Sequence, residues 1–80
     1  LMQQKAVLLE HMAAMLAHYG TATGLKIARK HIGWYSKGLP DSAEFRSAIN
    51  RSEQPDVVSA MIDAFYEHQA EQAASGVLAA

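Results

Sequence analysis

Apolar residues recur along the first segment at helical spacing. With successive residues turned by about 100°, Leu1, Leu8, Leu9, Met12, Met15, Leu16 and Tyr19 share one stripe, and Gln3, Glu10, Ala14 and His18 lie opposite. The pattern predicts an amphipathic helix over Leu1–Tyr19 that stops at Gly20. Thr21-Ala22-Thr23 then gives a short connector, and a second helix is predicted over Leu25–Ser36, with Thr23 as a candidate cap and Gly38 just past its end. Pro40 makes the stop firm. Asp41-Ser42-Ala43-Glu44 has capping-box spacing, so a third, shorter helix is expected from about Ser42 to Asn50.

Ser52-Glu53-Gln54-Pro55 marks the last boundary, because proline suits a first helical turn. The inner stripe of helix four is predicted as Val58, Met61, Ile62, Phe65 and Gln69, and its outer face as Asp56, Ser59, Asp63, Glu67 and Ala70. Beyond Ala74 the tail offers little to order it and is expected to fray, leaving about 1–74 ordered. The sum is an all-α fold, a compact four-helix bundle with short connections. The chain starts without a cap, on Leu1 and Met2, as a piece cut from something longer would.

Composition supports this and narrows the chemistry. In 80 residues half are apolar, mostly Ala, Leu and Met with few β-branched residues, which favours helix over sheet. There is no cysteine, so neither disulfides nor a thiolate metal site can stabilise so small a unit. No apolar run approaches the roughly 20 residues of a membrane span, and a soluble, cytoplasmic protein is expected. His11 and His18 stand too far apart along one helix to chelate jointly, and His68 is alone, so no metal site is expected. Asp63 and Glu67 lie one turn apart on an outer face, the usual place for acids. No phosphate loop or nucleophile signature occurs, and no catalytic residue is assigned.

The net charge of -1 conceals a segregation. Residues 26–51 hold six of the seven bases, Lys26, Arg29, Lys30, Lys37, Arg46 and Arg51, against Asp41 and Glu44, a local charge of +4. Residues 52–80 hold five acids and no base. Such a distribution speaks of partners rather than fold and points to a polyanion meeting the middle of the chain. On helix two, Lys26, Lys30, Gly33 and Lys37 form one strip with Arg29 on its shoulder, while Ile27, Ala28, His31, Trp34 and Tyr35 occupy the half predicted to pack. Gly33 costs roughly 0.5–1 kcal/mol against Ala in a helix interior, so close approach of a neighbouring helix or a phosphate chain is expected there. Arg46 and Arg51 would widen the strip if helix three packs beside helix two, and arginine can grip phosphate through two parallel hydrogen bonds.

The run Gly24-Leu25-Lys26-Ile27-Ala28-Arg29-Lys30-His31-Ile32-Gly33-Trp34-Tyr35, with Ser36-Lys37-Gly38-Leu39-Pro40 and Ser42-Ala43-Glu44-Phe45-Arg46, resembles the C-terminal region of bacterial tRNA-dihydrouridine synthases. The nearest group is the B type, also described as nitrogen-regulation-like. The resemblance covers most of residues 8–70. It implies a two-domain enzyme in which an FMN-binding (β/α)8 barrel reduces a uridine of the tRNA D-loop with NADPH and the helical bundle helps hold the tRNA. The family's cysteine and flavin-binding residues lie in that barrel, so no cofactor is expected in the present fragment, whose partners would be tRNA and the missing barrel. Carried over, Lys26, Arg29, Lys30 and Lys37 become candidate RNA contacts, with Arg46 and Arg51 beside them. Where the family often has Gly after Leu-Pro, this chain has Asp41, expected to strengthen the cap.

His31 is expected to be a core or interface histidine in preference to an RNA ligand, and Trp34 and Tyr35 to anchor the core rather than stack on a base. Two other function classes fit the same residues: a DNA-binding helix-turn-helix regulator over Leu25–Asn50, and a protein-interaction bundle. Glu44 near the start of helix three, where DNA would lie, weighs against the former.

Overall fold

The computed structural model describes residues 2–79, with side chains described as far as Ala74. It holds four helices, α1 (Met2–Tyr19), α2 (Thr21–Ser36), α3 (Ser42–Arg51) and α4 (Pro55–Ala79), and no strand among the described residues. α1 packs on α2 and α4, and α3 packs on the same two, so the helices close into a ring around one core. Leu8 and Met12 enter that core from α1, Leu25, Ala28 and Ile32 from α2, Phe45 and Ile49 from α3, and Val58, Ile62 and Tyr66 from α4. Phe65 stacks on Phe45 at 4.0 Å and stands edge-on to Tyr66, joining α3 to α4.

The first boundary is tighter than the sequence suggests. The predicted Thr21-Ala22-Thr23 connector, with Thr23 as cap, is already the first turn of α2, and Gly20 is the one residue between the helices. Gly20 adopts φ 82°, ψ 174°; its N–H donates to the Leu16 carbonyl and its own carbonyl accepts from Gly24 N–H. A residue without a Cβ reverses the chain in one step here, so no linker is needed. α1 and α2 then run antiparallel, with Gly24 against Met15 and Leu16 at one end and the Gln4 side chain donating to the Tyr35 carbonyl at the other. A Cβ on Gly24 would lie 2.5 Å from the Met15 carbonyl oxygen, so the crossing requires glycine.

The second boundary overturns the predicted capping box. Asp41 lies in the left-handed region at φ 64°, and its side chain makes no cap hydrogen bond. An N-cap that bonds through its side chain needs extended backbone, which Asp41 lacks; α3 starts instead on the backbone bond from Phe45 N–H to the Asp41 carbonyl. Left-handed backbone explains why glycine would suit this position. Pro55 opens α4 as expected, and Ser52 caps the end of α3 with a backbone N–H to Ile49.

Along α4 the fully covered residues are Val58, Ile62, Tyr66 and Gln69, whereas Met61 and Phe65 are half-buried. Tyr66, absent from the predicted stripe, is the largest of the core side chains; its hydroxyl has no partner among the described residues, and burial pushes the phenol up to about 12. Gln69 donates to the Pro40 carbonyl at 2.6 Å and pins the α2–α3 turn. The fraying expected beyond Ala74 falls on residues whose side chains lie outside those described.

Candidate nucleic-acid interface

α2 is held by the face that carries Leu25, Ala28, Ile32 and Ser36, all buried. Those positions recur at three or four residues, and their small members let α1 come close; Ser36 settles its buried hydroxyl on the Ile32 carbonyl at 2.8 Å. The helix is thereby rotated away from the predicted packing half. Ala28 is covered and Ile27 and His31 are half-buried, but Trp34 is 61% exposed and Tyr35 42% exposed. Two of the expected core anchors stand on the surface. The reason is steric: with Gly24 pressed to α1, the indole is turned away from the core and meets only the edge of His31 and the Lys30 ammonium.

The same rotation sorts the six candidate bases. Lys26, Lys30 and Lys37 are exposed, and among the described residues the ion pairs are confined to Lys5, so no acid claims them. Arg29 is half-buried and donates from its terminal nitrogen to the Ser52 carbonyl, tying α2 to the α3–α4 link; its Nε is buried without a partner. A hollow of about 420 Å³ at the start of α2 brings Lys26 and Arg29 together with Glu53, whose carboxylate tempers the positive field there. Arg46 and Arg51 share another hollow, of about 470 Å³, with Ser47 and Asn50 on α3. Arg46 also reaches across to α2: its Cδ lies 3.6 Å from where a Gly33 Cβ would sit, and its Nε donates to the Ser42 carbonyl at 3.3 Å.

α3 therefore does pack beside α2, and Arg46 reaches the α2 surface at Gly33. No neighbouring helix crowds Gly33, where 3.6 Å is ordinary contact; the close helix crossing is at Gly24.

Beside the strip lies a ladder of rings. His11 of α1 meets His31 edge-on with centroids 4.2 Å apart, His31 meets Trp34 at 5.3 Å and 80°, and the Lys30 ammonium sits over the indole, 5.1 Å from its centroid. Burial, then the charges of His11 and Lys30, hold the His31 pKa below its ordinary 6.5. His11 entered the sequence reading only as a poor partner for His18; its place against His31 follows from the antiparallel register of α1 and α2.

Across the molecule, Lys5 bridges Asp63 at 2.8 Å and Glu67 at 2.9 Å, and those hydrogen bonds raise its pKa. The two acids on α4 thus bind α1 rather than prepare a proton transfer. The described residues include no group of three or more His, Asp or Glu placed to hold a metal, and no helix long and apolar enough to cross a membrane.

Comparison with known proteins gives this surface a context. Residues 1–74 match the family described as dihydrouridine synthase (Dus). The chain is 52% identical over 64 residues to a probable tRNA-dihydrouridine synthase of Rickettsia conorii, covering 80% of this chain and 19% of that protein. It is 47% identical over 60 residues to tRNA-dihydrouridine synthase B of Xanthomonas axonopodis pv. citri, covering 75% and 18%. For tRNA-dihydrouridine synthase B of Pseudomonas aeruginosa the values are 42% over 62 residues, covering 78% and 19%. The chain spans about a fifth of the length of these relatives. No solved structure matches it significantly.

Proposed function

The chain belongs to the dihydrouridine synthase family, and from that premise we propose that its 80 residues are the tRNA-holding domain of an FMN- and NADPH-dependent, cytoplasmic tRNA-dihydrouridine synthase. The barrel that reduces uridine to 5,6-dihydrouridine in the D-loop lies outside this sequence. One observation carries the reading: within a family named for a tRNA modification, the chain's cations are concentrated on α2 and α3, and Lys26, Lys30 and Lys37 project unpaired. Lysine on a rigid helix neutralises phosphate without reading bases, which fixes the orientation of a substrate. Folded RNA is recognised largely by shape and by its 2′-hydroxyls, and a rigid bundle supplies such a surface.

Within this reading, exposure ranks the bases. Lys26, Lys30 and Lys37 form the primary contact surface, Arg46 and Arg51 extend it along α3, and Arg29 contributes its charge from a side chain already bonded to Ser52. The chain's own chemistry stops at binding and orienting.

The test is binding of unmodified tRNA and of duplex DNA by the 80-residue chain over a range of salt, beside Lys26→Glu/Lys30→Glu. Affinity for tRNA should fall with salt by a log-log slope of roughly 0.7–0.9 per phosphate contacted, and the variant should bind more weakly with a shallower slope. A variant that binds tRNA as the parent does would remove the α2 strip from the interface. Equal affinity for duplex DNA would reduce the reading to non-specific electrostatics.

A further inference from the structure

Among the described residues six large apolar side chains are exposed, and most stand singly, as on any small domain. Trp34 and Tyr35 differ. They are adjacent, they line a hollow of about 400 Å³ with His31, and they border the unpaired lysine strip. The backbone beneath them is fixed by the Gln4 bond to the Tyr35 carbonyl and the Ser36 bond to the Ile32 carbonyl. The edge of His31 steadies the indole, and Lys30 stands over its ring.

An apolar protein partner laid on this shelf would have to strip water from Lys30 without offering it a counter-charge, which is costly. A nucleotide satisfies both groups at once, because its base has a π-face for the indole and its phosphate an anionic oxygen for the ammonium. Stacking of bases on aromatic side chains beside a cationic groove is the general means by which unpaired nucleic acid is held.

We propose that Trp34, with Lys30 over its ring and His31 at its edge, is a stacking platform for one unpaired base of the RNA bound along α2. The platform rests on the tRNA-holding reading above. It adds to that reading a contact that senses a flipped-out or loop base, where the lysine strip senses only phosphate.

Trp34 is the sole tryptophan, so its fluorescence reports on this shelf alone. The 80-residue chain is titrated at low salt with unmodified tRNA and with inorganic polyphosphate at equal phosphate concentration, and affinities are measured for Trp34→Ala, Trp34→Phe and Lys26→Glu/Lys30→Glu. Both ligands should bind the parent, but tRNA alone should quench the indole. Trp34→Ala should weaken tRNA binding roughly 5- to 150-fold, the range for loss of one base–aromatic stack, Trp34→Phe should recover part of it, and polyphosphate affinity should not change in either.

If tRNA binds and the lysine variant weakens it while Trp34→Ala matches the parent, the platform is overturned and the strip stands. If the parent fails to bind tRNA at low salt, both readings fall. Concentration-dependent self-association abolished by Trp34→Ala, with tRNA affinity unaltered, would make the shelf a protein contact and overturn the platform.

Discussion

Gly24 and Gly33 sit in one helix and invite opposite interpretations. Around Gly24 the helix is pressed so hard on α1 that a single methyl group would meet the Met15 carbonyl at 2.5 Å, and the neighbouring Leu25 and Ala28 are buried. Around Gly33 the nearest atom to an added methyl is a flexible arginine carbon at 3.6 Å, and Lys30, Trp34 and Lys37 are exposed. One flank of α2, from Gly24 to Ser36, fixes where the helix lies, and the flank that carries Lys30 and Trp34 is what the bundle displays. A glycine in a helix interior costs the same propensity in both places, but only the first position offsets that cost with a close crossing.

The contrast can be broken most sharply at Gly24. Gly24→Ala should destabilise the chain by about 3 kcal/mol, at the upper end of overpacking effects because the clash is with backbone; a urea midpoint equal to the parent's would show that α1 yields easily. Gly33→Ala should do the reverse and raise stability by about 0.5–1 kcal/mol, since the new methyl makes ordinary contact with Arg46 and the unfolded chain loses freedom. A loss of that size instead would reveal crowding at the basic strip. Trp34→Ala should leave the thermal midpoint within the shift of about 0.5 kcal/mol typical of surface changes, so that any larger effect on tRNA affinity is a contact effect.

The smallest change concerns pH. Because burial, His11 and Lys30 keep folded His31 below 6.5, the unfolded chain binds more protons between that folded value and 6.5. Its contribution to stability is therefore whole above about pH 6.5 and is lost as pH falls towards the folded pKa. Replacing His31 with Gln should flatten the stability profile in that interval; an unchanged slope would place the titration elsewhere.

Helix number and most boundaries were legible because each depends on neighbours along the chain, although α2 starts at Thr21 and not at the predicted Leu25. Pro55, Gly38 and the 3.6-residue period of α3 did what local chemistry allows. Asp41 escaped because a cap signature names residues but not backbone dihedrals, and its left-handed φ was not written in the four-residue pattern. Tyr66 escaped because a stripe over Val58, Ile62 and Gln69 can be drawn through either Phe65 or Tyr66, and the docking of α1 and α3 decides between them.

The site was legible as charge and not as shape. Lys26 and Lys30 could be placed one turn apart from spacing alone, whereas Lys37 lies just past the end of α2, and the rotation of the helix about its axis was not fixed by spacing, which offered two apolar flanks. The larger aromatic flank was the natural choice for a core, and the smaller one won because Gly24 and Ala28 permit closer packing than Trp34 and Tyr35 do. The Arg29 bond to Ser52, the His11–His31 contact and the Lys5 bridge all join separate helices, and no single-helix pattern contains them.

The sequestering of bases on α2 and α3, away from acids on α4, has a kinetic meaning. With a net charge of -1 these 80 residues taken by themselves are scarcely drawn to a polyanion. Its charge separation still gives it a preferred heading in the field of one, so that the lysine face turns forward before contact within roughly a Debye length of about 8–10 Å. A nearly neutral body with a strong internal polarity gains more in productive encounters than in pull, and that advantage fades as salt shortens the reach of the field.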